Sequence, residues 1–393
     1  MADRPLRFGI AGLGPGAMNL LPGFEHNPHV VLTAAADVRE DAVQAFAKDY
    51  KIEGYTSVEK MCESPEIDAV YVVTPTPFHA EHAIAAAEHG KHVITTKPMA
   101  VTMRDCERMV EAAERNKVRL VCGHTQSLLF PVRKLAELVW SGEFGRVGMI
   151  QTWNYTDWIY RPRRPWELDV TAGGGVVYRQ SPHHIDILRL ITGTMVKSVR
   201  AMVLSLDPSR NAPGAFSVWL QFEDGTPGTI VYSGYGHFST NEITWGPELR
   251  LRAPAGARTA EQEEAAKNAM GYVAGRSAGS TRRTEEAPFT TFGITLVSCE
   301  KADLRQSPQG IWVYDETGRR EIVLPPDEAR GEAEFEELYQ AVTNNVPPLH
   351  DGRWGAATHE ITLAIMESAR DGKEIYLHQQ TEVPLERRMA AIH

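Results

Sequence analysis

Leu6–Asn19 reads LRFGIAGLGPGAMN, and this stretch decides how the first third of the chain folds. Arg7–Ala11 is a short, mostly apolar run of the kind that forms a buried parallel strand. Gly12, Gly14 and Ala17 then give the spacing G-x-G-x-x-A. Gly12 permits a tight turn out of the strand, and Gly14 lets a phosphate approach the backbone where a Cβ would stand. Ala17 lets the following helix lie close to the strand. With Pro15 and Gly16 between them, these residues are candidates for cradling a pyrophosphate at a helix N-terminus. The next strand-like run, Val30–Ala36, ends in Asp37, about 20 residues beyond the glycines, where a carboxylate can bind ribose hydroxyls. The pattern predicts a dinucleotide site. Asp37 favours NAD because it repels a 2′-phosphate, while Arg39, two residues on, keeps NADP open.

Working outward, strand and helix alternate. Asp41–Tyr50 has a helical apolar face, and Ile67–Thr74 is a buried-strand run halted by Pro75-Thr76-Pro77. His79–Gly90 reads as helix, His92–Thr95 as strand, Arg104–Asn116 as helix and Val118–Gly123 as strand. This alternation predicts an α/β, doubly wound parallel sheet over residues 1–125, with its ligand beyond the carboxyl ends of the strands. Thr74, Pro75, Thr76, His79 and Lys97 fall at such ends.

From about Gly145 the pattern changes. Val147–Asp157, Val196–Leu204, Phe216–Phe222, Thr229–Tyr235, Ile294–Asp303 and Ile311–Tyr314 read as strands with little helix between them. That predicts a second α+β domain, residues 126–393, built on a largely antiparallel, open-faced sheet. Ala257–Pro288 lacks apolar periodicity and reads as an inserted surface loop with one helix at Glu261–Met270; its alternatives are a lid or an oligomer contact. Glu332–Thr343 and Ala356–Asp371 read as helices.

The chain has 393 residues, 42% of them hydrophobic, enough for two cores, and a net charge of −10 that disfavours a broad nucleic-acid surface. No run of 18 apolar residues suggests a membrane span. Four cysteines without a C-x-x-C pair suggest reduced thiols and a cytoplasmic protein. The histidines His79, His82, His89 and His92 cluster in sequence but lack acidic or cysteine partners at metal-site spacing, so no metal is expected.

The nucleotide loop, IDAVYVVTPTPFHAEHAIAAAEHGKHVITTKP and GGGVVYRQSPHHIDILRLITG together resemble the Gfo/Idh/MocA oxidoreductases. The resemblance runs from Leu6 to about Leu377, leaving aside the insertion. It implies a Rossmann domain followed by an α+β domain whose sheet mediates homodimers or homotetramers. It also implies an NAD- or NADP-dependent enzyme that oxidises or reduces hydroxyl groups, mostly on sugars and polyols. Lys97 falls on the lysine of the family's E-K-P motif, with Thr96 in place of the glutamate. His183 and Asp186 fall on the last two positions of its D-x-x-x-H-x-x-D motif, where Arg179 replaces the first aspartate.

That replacement argues against an ordinary sugar or polyol, whose hydroxyls a carboxylate would receive. Ser181-Pro182 reads as a helix start, which would put His183 in the first turn, where the positive helix end keeps it neutral and fit to act as general base. Lys97 is expected to donate a hydrogen bond to the reacting oxygen and stabilise developing alkoxide charge. Asp186, three residues on from His183, shares its face. In Trp158–Trp166 (WIYRPRRPW), Arg161, Arg163 and Arg164 lie among Trp158, Tyr160 and Trp166. Guanidinium groups bind carboxylates, and aromatic rings suit a flat substrate. With Arg179, these residues predict a pocket for a small planar dicarboxylate, and the resemblance within the family implies a cyclohexadiene cis-diol carrying two carboxylates. Two alternatives stay open: a sugar, inositol or polyol dehydrogenase, and a non-catalytic nucleotide sensor.

Overall fold

A computed structural model describes residues 4–123, 126–245, 259–272, 287–325 and 332–390. Two units emerge from its internal contacts. The first comprises residues 1–125, 258–282 and 328–356; the second comprises 126–257, 283–327 and 357–393. The first boundary falls near residue 125, just after the last strand of the parallel sheet. The expected second domain, 126–393, is not one continuous piece, because two of its segments return to the first unit.

The first unit holds six parallel strands: β1 (Leu6–Ala11), β2 (Val30–Ala36), β3 (Glu53–Tyr55), β4 (Ala69–Val72), β5 (His92–Thr96) and β6 (Leu120–Gly123). Their order is β3-β2-β1-β4-β5-β6, the doubly wound arrangement. Such strands are buried on both faces, which explains why β4 is apolar throughout and every one of its side chains is inaccessible. The reversal of direction beside β1 places the carboxyl ends of β1 and β4 at the switch point, where ligands bind in sheets of this kind.

The second unit holds a nine-stranded sheet built from β7 (Val147–Tyr155), β8 (Val196–Leu204), β9 (Ala215–Phe222), β10 (Pro227–Ser233), β11 (Ile294–Cys299), β12 (Ala302–Ser307), β13 (Gly310–Asp315), β14 (Gly318–Val323) and β15 (Ile375–Tyr376). The order is β14-β13-β12-β11-β7-β10-β9-β8-β15, antiparallel except for the parallel pair β7–β10. One face buries its alternate residues, such as Ile150, Val218, Leu220 and Ile230, and the other exposes Trp153, Met202 and Trp219. The expected single strand Ile294–Asp303 is in fact a hairpin, β11–β12. It turns at Glu300-Lys301, whose N–H groups bond to Arg146 O and Phe144 O instead of continuing a ladder.

Within the expected insertion Ala257–Pro288, the helix is found at Ala260–Asn268, opened by a reciprocal cap between Thr259 and Gln262. Residues 257–258 and 273–286 of that loop lie outside the described residues. No helix among the described residues is long and apolar enough to cross a membrane.

Candidate active site

The nucleotide half is built on the carboxyl ends of β1, β2, β4 and β5. Gly12 has φ +100°, and a Cβ there would stand 3.0 Å from Val73 O, so the turn out of β1 admits only glycine. At Gly14 a Cβ would meet nothing within 4 Å, and this open side of the loop is where a pyrophosphate fits. Ala17 is fully buried, close against β1. The helix that follows runs only from Pro15 to Met18 before a second begins at Leu21.

Asp37 joins the loop from the end of β2. Its Oδ2 accepts from Leu13 N at 2.7 Å, and its Oδ1 accepts from Arg39 N and Nε at 3.0 and 2.9 Å. Burial alone would raise this carboxyl, but the Arg39 guanidinium and the two N–H groups outweigh it and hold it below the usual range. Arg39 also donates to Leu13 O at 3.2 Å. The loop, the carboxylate and the open side of Gly14 together fit an NAD-type dinucleotide.

His79 is fully buried; its Nε2 lies 2.7 Å from Thr74 O and its Nδ1 lies 2.9 Å from Pro98 O. It braces the loop after β4 to the loop after β5, and the second of these carries Lys97. Thr74 and Pro75 are partly accessible, whereas Thr76 is buried and opens a single 3-10 turn, Thr76–Phe78. The other clustered histidines go separate ways: His82 Nδ1 meets Thr74 Oγ1, His89 Nδ1 meets Ala85 O, and His92 Nδ1 accepts from Arg119 N. Among the described residues no group of three His, Cys, Asp or Glu side chains is placed to hold a metal.

The second unit, taken by itself, holds the helix Gly175–Thr192. The expected cap at Ser181 is seven residues too late: Gly174 is the N-cap and Pro182 sits inside the helix. A proline there loses one main-chain bond and is tolerated because residues 181–191 are all buried and packing holds the helix together. Two consequences follow. His183 is the ninth helical residue, so the helix-end field does not act on it. Arg179 is helical too and lies one turn before His183 on the same face. His183 is 6% exposed, and its ring is edge-on to Phe292 at 4.8 Å. Asp186, nearly one turn on, is fully buried. His184 faces inward, with Nδ1 2.9 Å from Thr152 Oγ1 and its ring against Phe292; burial drives its pKa down to about 3.

The tryptophan–arginine loop separates into two kinds of residue. Trp158 is 4% exposed and is covered by the Arg163 guanidinium, 3.8 Å above its ring. Arg163 also donates to Trp158 O at 3.2 and 2.9 Å and pairs with Glu167 at 3.6 Å. Burial pulls it down to about 10, against the attraction of Glu167. These two side chains stack on each other as an internal wedge. Arg161 pairs with Asp157 at 2.6 Å, and the Arg164 main chain donates to Glu167 Oε2 at 2.9 Å. Arg179 remains partly accessible, its guanidinium 5.4 Å over the partly exposed Trp166 ring. Burial lowers its pKa and Glu167 opposes that shift.

Sequence reasoning missed Glu167, the buried carboxylate among these arginines, and Phe292, which packs on both histidines across more than a hundred residues. Nothing local marks Phe292. Glu167 could have been suspected from its position within an arginine-rich stretch.

Residues 6–124 match the model of the oxidoreductase family with an NAD-binding Rossmann fold, and residues 132–251 match the GFO/IDH/MocA C-terminal domain. The chain is 36% identical over 379 residues to 1-carboxy-3-chloro-3,4-dihydroxycyclohexa-1,5-diene dehydrogenase of Comamonas testosteroni, covering 93% of this chain and 95% of that one. It is 34% identical over 223 residues, 53% of this chain and 66% of the other, to a 1,5-anhydro-D-fructose reductase of Ensifer adhaerens. Among solved structures, a dehydrogenase from Bordetella bronchiseptica RB50 superposes with a TM-score of 0.87 at 37% identity, covering 95% of this chain and all of the other.

Proposed function

The chain belongs to the Gfo/Idh/MocA oxidoreductases, NAD-dependent enzymes, and from that premise we propose that it oxidises a carboxylated cyclohexadiene cis-diol to the corresponding catechol. The observation that carries this reading is Arg179, a cation one helical turn from His183 and on the same face, at the position where the family motif has an aspartate. The Comamonas relative, whose name describes a carboxylated ring diol, supports the same class. Phthalate 4,5-cis-dihydrodiol, giving 4,5-dihydroxyphthalate, is the dicarboxylate member we place first.

In this proposal Arg179 receives a ring carboxylate through charge-assisted hydrogen bonds, with Arg161 and Arg164 as the further cations of the loop. Trp166, beneath Arg179, offers a flat apolar face. His183 takes the proton of the hydroxyl that is oxidised, and its near-complete burial beside Phe292 keeps competing water away. Lys97 donates a hydrogen bond to the oxygen that loses this proton, and Asp186 anchors the His183 helix. Bound NAD supplies the hydride acceptor, and tautomerisation of the resulting hydroxyketone to a catechol draws the reaction forward. The same reading takes the chain as a cytoplasmic homodimer or homotetramer. The exposed Trp153, Met202 and Trp219 on the open sheet face support an oligomer, and light scattering tests it.

The deciding experiment follows reduction of NAD with carboxylated cis-dihydrodiols, uncarboxylated cis-dihydrodiols, inositol and hexoses. Turnover confined to carboxylated diols, with Arg179→Ala raising KM and His183→Ala lowering kcat, is the expected result. Equal turnover of uncarboxylated diols or of inositol refutes it.

A further inference from the structure

The segment 259–272 lies outside both matched family regions, which end at residues 124 and 251. It nevertheless packs on the nucleotide loop of the first unit. Tyr272 is 6% exposed, and its N–H donates to Leu13 O at 3.2 Å. Its hydroxyl donates to Asp49 Oδ2 at 2.5 Å, and its ring stands edge-on to Phe46 at 4.8 Å. Through these contacts it joins the core cluster that also contains Ile10, Leu13 and Ala17, the residues that carry the loop. Gly271 comes closer still: a Cβ on it would lie 3.0 Å from Leu13 O and 3.4 Å from Gly14 Cα.

Leu13 is therefore held on both sides. Its N–H is fixed by Asp37, and its carbonyl by Arg39 and by Tyr272. Fixing that carbonyl fixes the plane of the Leu13–Gly14 peptide, and with it the face of the loop that a pyrophosphate must meet. The side of Gly14 that its own Cβ would occupy stays open, so Gly271 supports the loop without filling the ligand's place. The helix Ala260–Asn268 adds charge nearby: its Glu264, like Asp41 of the helix Glu40–Tyr50, contributes negative potential at Arg39, beside Asp37.

We infer that residues 259–272 are a working part of the dinucleotide site, with Tyr272 and Gly271 acting as positioning residues that preorganise the Leu13–Gly14 peptide for the pyrophosphate. A loop held in its binding geometry loses less freedom when the ligand arrives, so removing the support weakens affinity. Linkage requires the converse: bound NAD tightens the seating of the segment by the same factor.

This inference rests on the nucleotide site and is independent of the substrate class, so it is tested by binding alone. The dissociation constant of NAD is measured by titration calorimetry on the full chain without any diol. Tyr272→Phe, which keeps the ring and the main-chain bond, is expected to bind NAD about threefold more weakly, and Tyr272→Ala about tenfold more weakly. Gly271→Val, which pushes on Leu13 O and Gly14, is expected to weaken binding at least as much. Asp49→Ala, which removes the acceptor, reproduces Tyr272→Phe and adds little to it in the double variant. Limited proteolysis supplies the converse arm: saturating NAD slows cleavage within 259–272 in the wild type, and slows it less in Tyr272→Phe. Wild-type NAD affinity in folded Tyr272→Ala and Gly271→Val overturns the inference. If either fails to fold, wild-type affinity together with unchanged NAD protection in Tyr272→Phe overturns it equally.

Discussion

Replacing His79 with alanine tests how the nucleotide half holds Lys97. The wild-type ring bridges Thr74 O at 2.7 Å and Pro98 O at 2.9 Å from a fully buried position. A neutral imidazole donates to one carbonyl at a time, so the variant strands at least one buried acceptor, at a cost of about 1–3 kcal/mol. The emptied ring volume adds about 1–2 kcal/mol for the cavity. The sum, about 2–5 kcal/mol, lowers the melting temperature by about 5–15 °C for a unit of this size. His79→Phe refills the volume but restores no donor, so it recovers the cavity portion alone. Activity should fall further than stability explains. The Pro98 carbonyl belongs to the turn that carries Lys97, and a displacement of about 1 Å there costs up to about 100-fold in turnover. Thermal melts and initial-rate kinetics at saturating NAD read the two effects separately. A His79→Ala protein that melts and turns over like the wild type refutes the brace. Normal melting loss with normal turnover refutes only its connection to Lys97.

Three further outcomes are expected. His92 and His184 have folded pKa values pushed down to about 4 and about 3, mainly by burial, so both stay neutral in the fold while the unfolded chain takes up protons from about pH 6.5 downward. Stability is therefore full above about pH 6.5 and is lost toward pH 4, by up to about 1.4 kcal/mol per pH unit for each histidine; denaturant titrations giving equal stability at neutral and mildly acidic pH would contradict this. Gly293 has φ +73°, and a Cβ there would lie 2.1 Å from Trp153 O, so Gly293→Ala should destabilise by about 2 kcal/mol or more and displace the neighbouring Phe292 from His183. Unchanged unfolding would show that the turn is not fixed in this way. Asp37→Ser removes the carboxylate and leaves Arg39, so the ratio of kcat/KM for NAD over NADP should fall about tenfold or more. A constant ratio would place cofactor choice elsewhere.

The parts of this protein legible in its sequence are those that the backbone decides locally. Gly12 must be glycine because of its own φ, and β4 is apolar because a central parallel strand has no wet face. Lys97 and Asp37 could be located because each directly follows a strand, and strand ends are where such a sheet binds its ligand. Local signals failed where packing overruled them. Ser181-Pro182 has the composition of a helix start, yet the helix runs through it from Gly175, because burial along residues 181–191 offsets one missing main-chain bond. That extension puts Arg179 and His183 on one face, a relation the apparent start concealed.

Trp158 and Arg163 were not placed by their sequence. Aromatic and cationic residues in one loop suit a pocket, but here they stack on each other inside the unit. Composition does not say which way a side chain turns. The insertion shows the same limit from the other side. Ala257–Pro288 has no periodicity to mark it as structured, yet Tyr272 seats beneath the nucleotide loop through partners more than 200 residues away. The sequence by itself determined the fold class and the NAD-binding character of the first unit, because those follow from short-range geometry and spacing. The tertiary structure alone decided which arginine faces outward, which histidine is a brace and what holds the nucleotide loop, because burial and long-range contacts depend on the whole chain having folded.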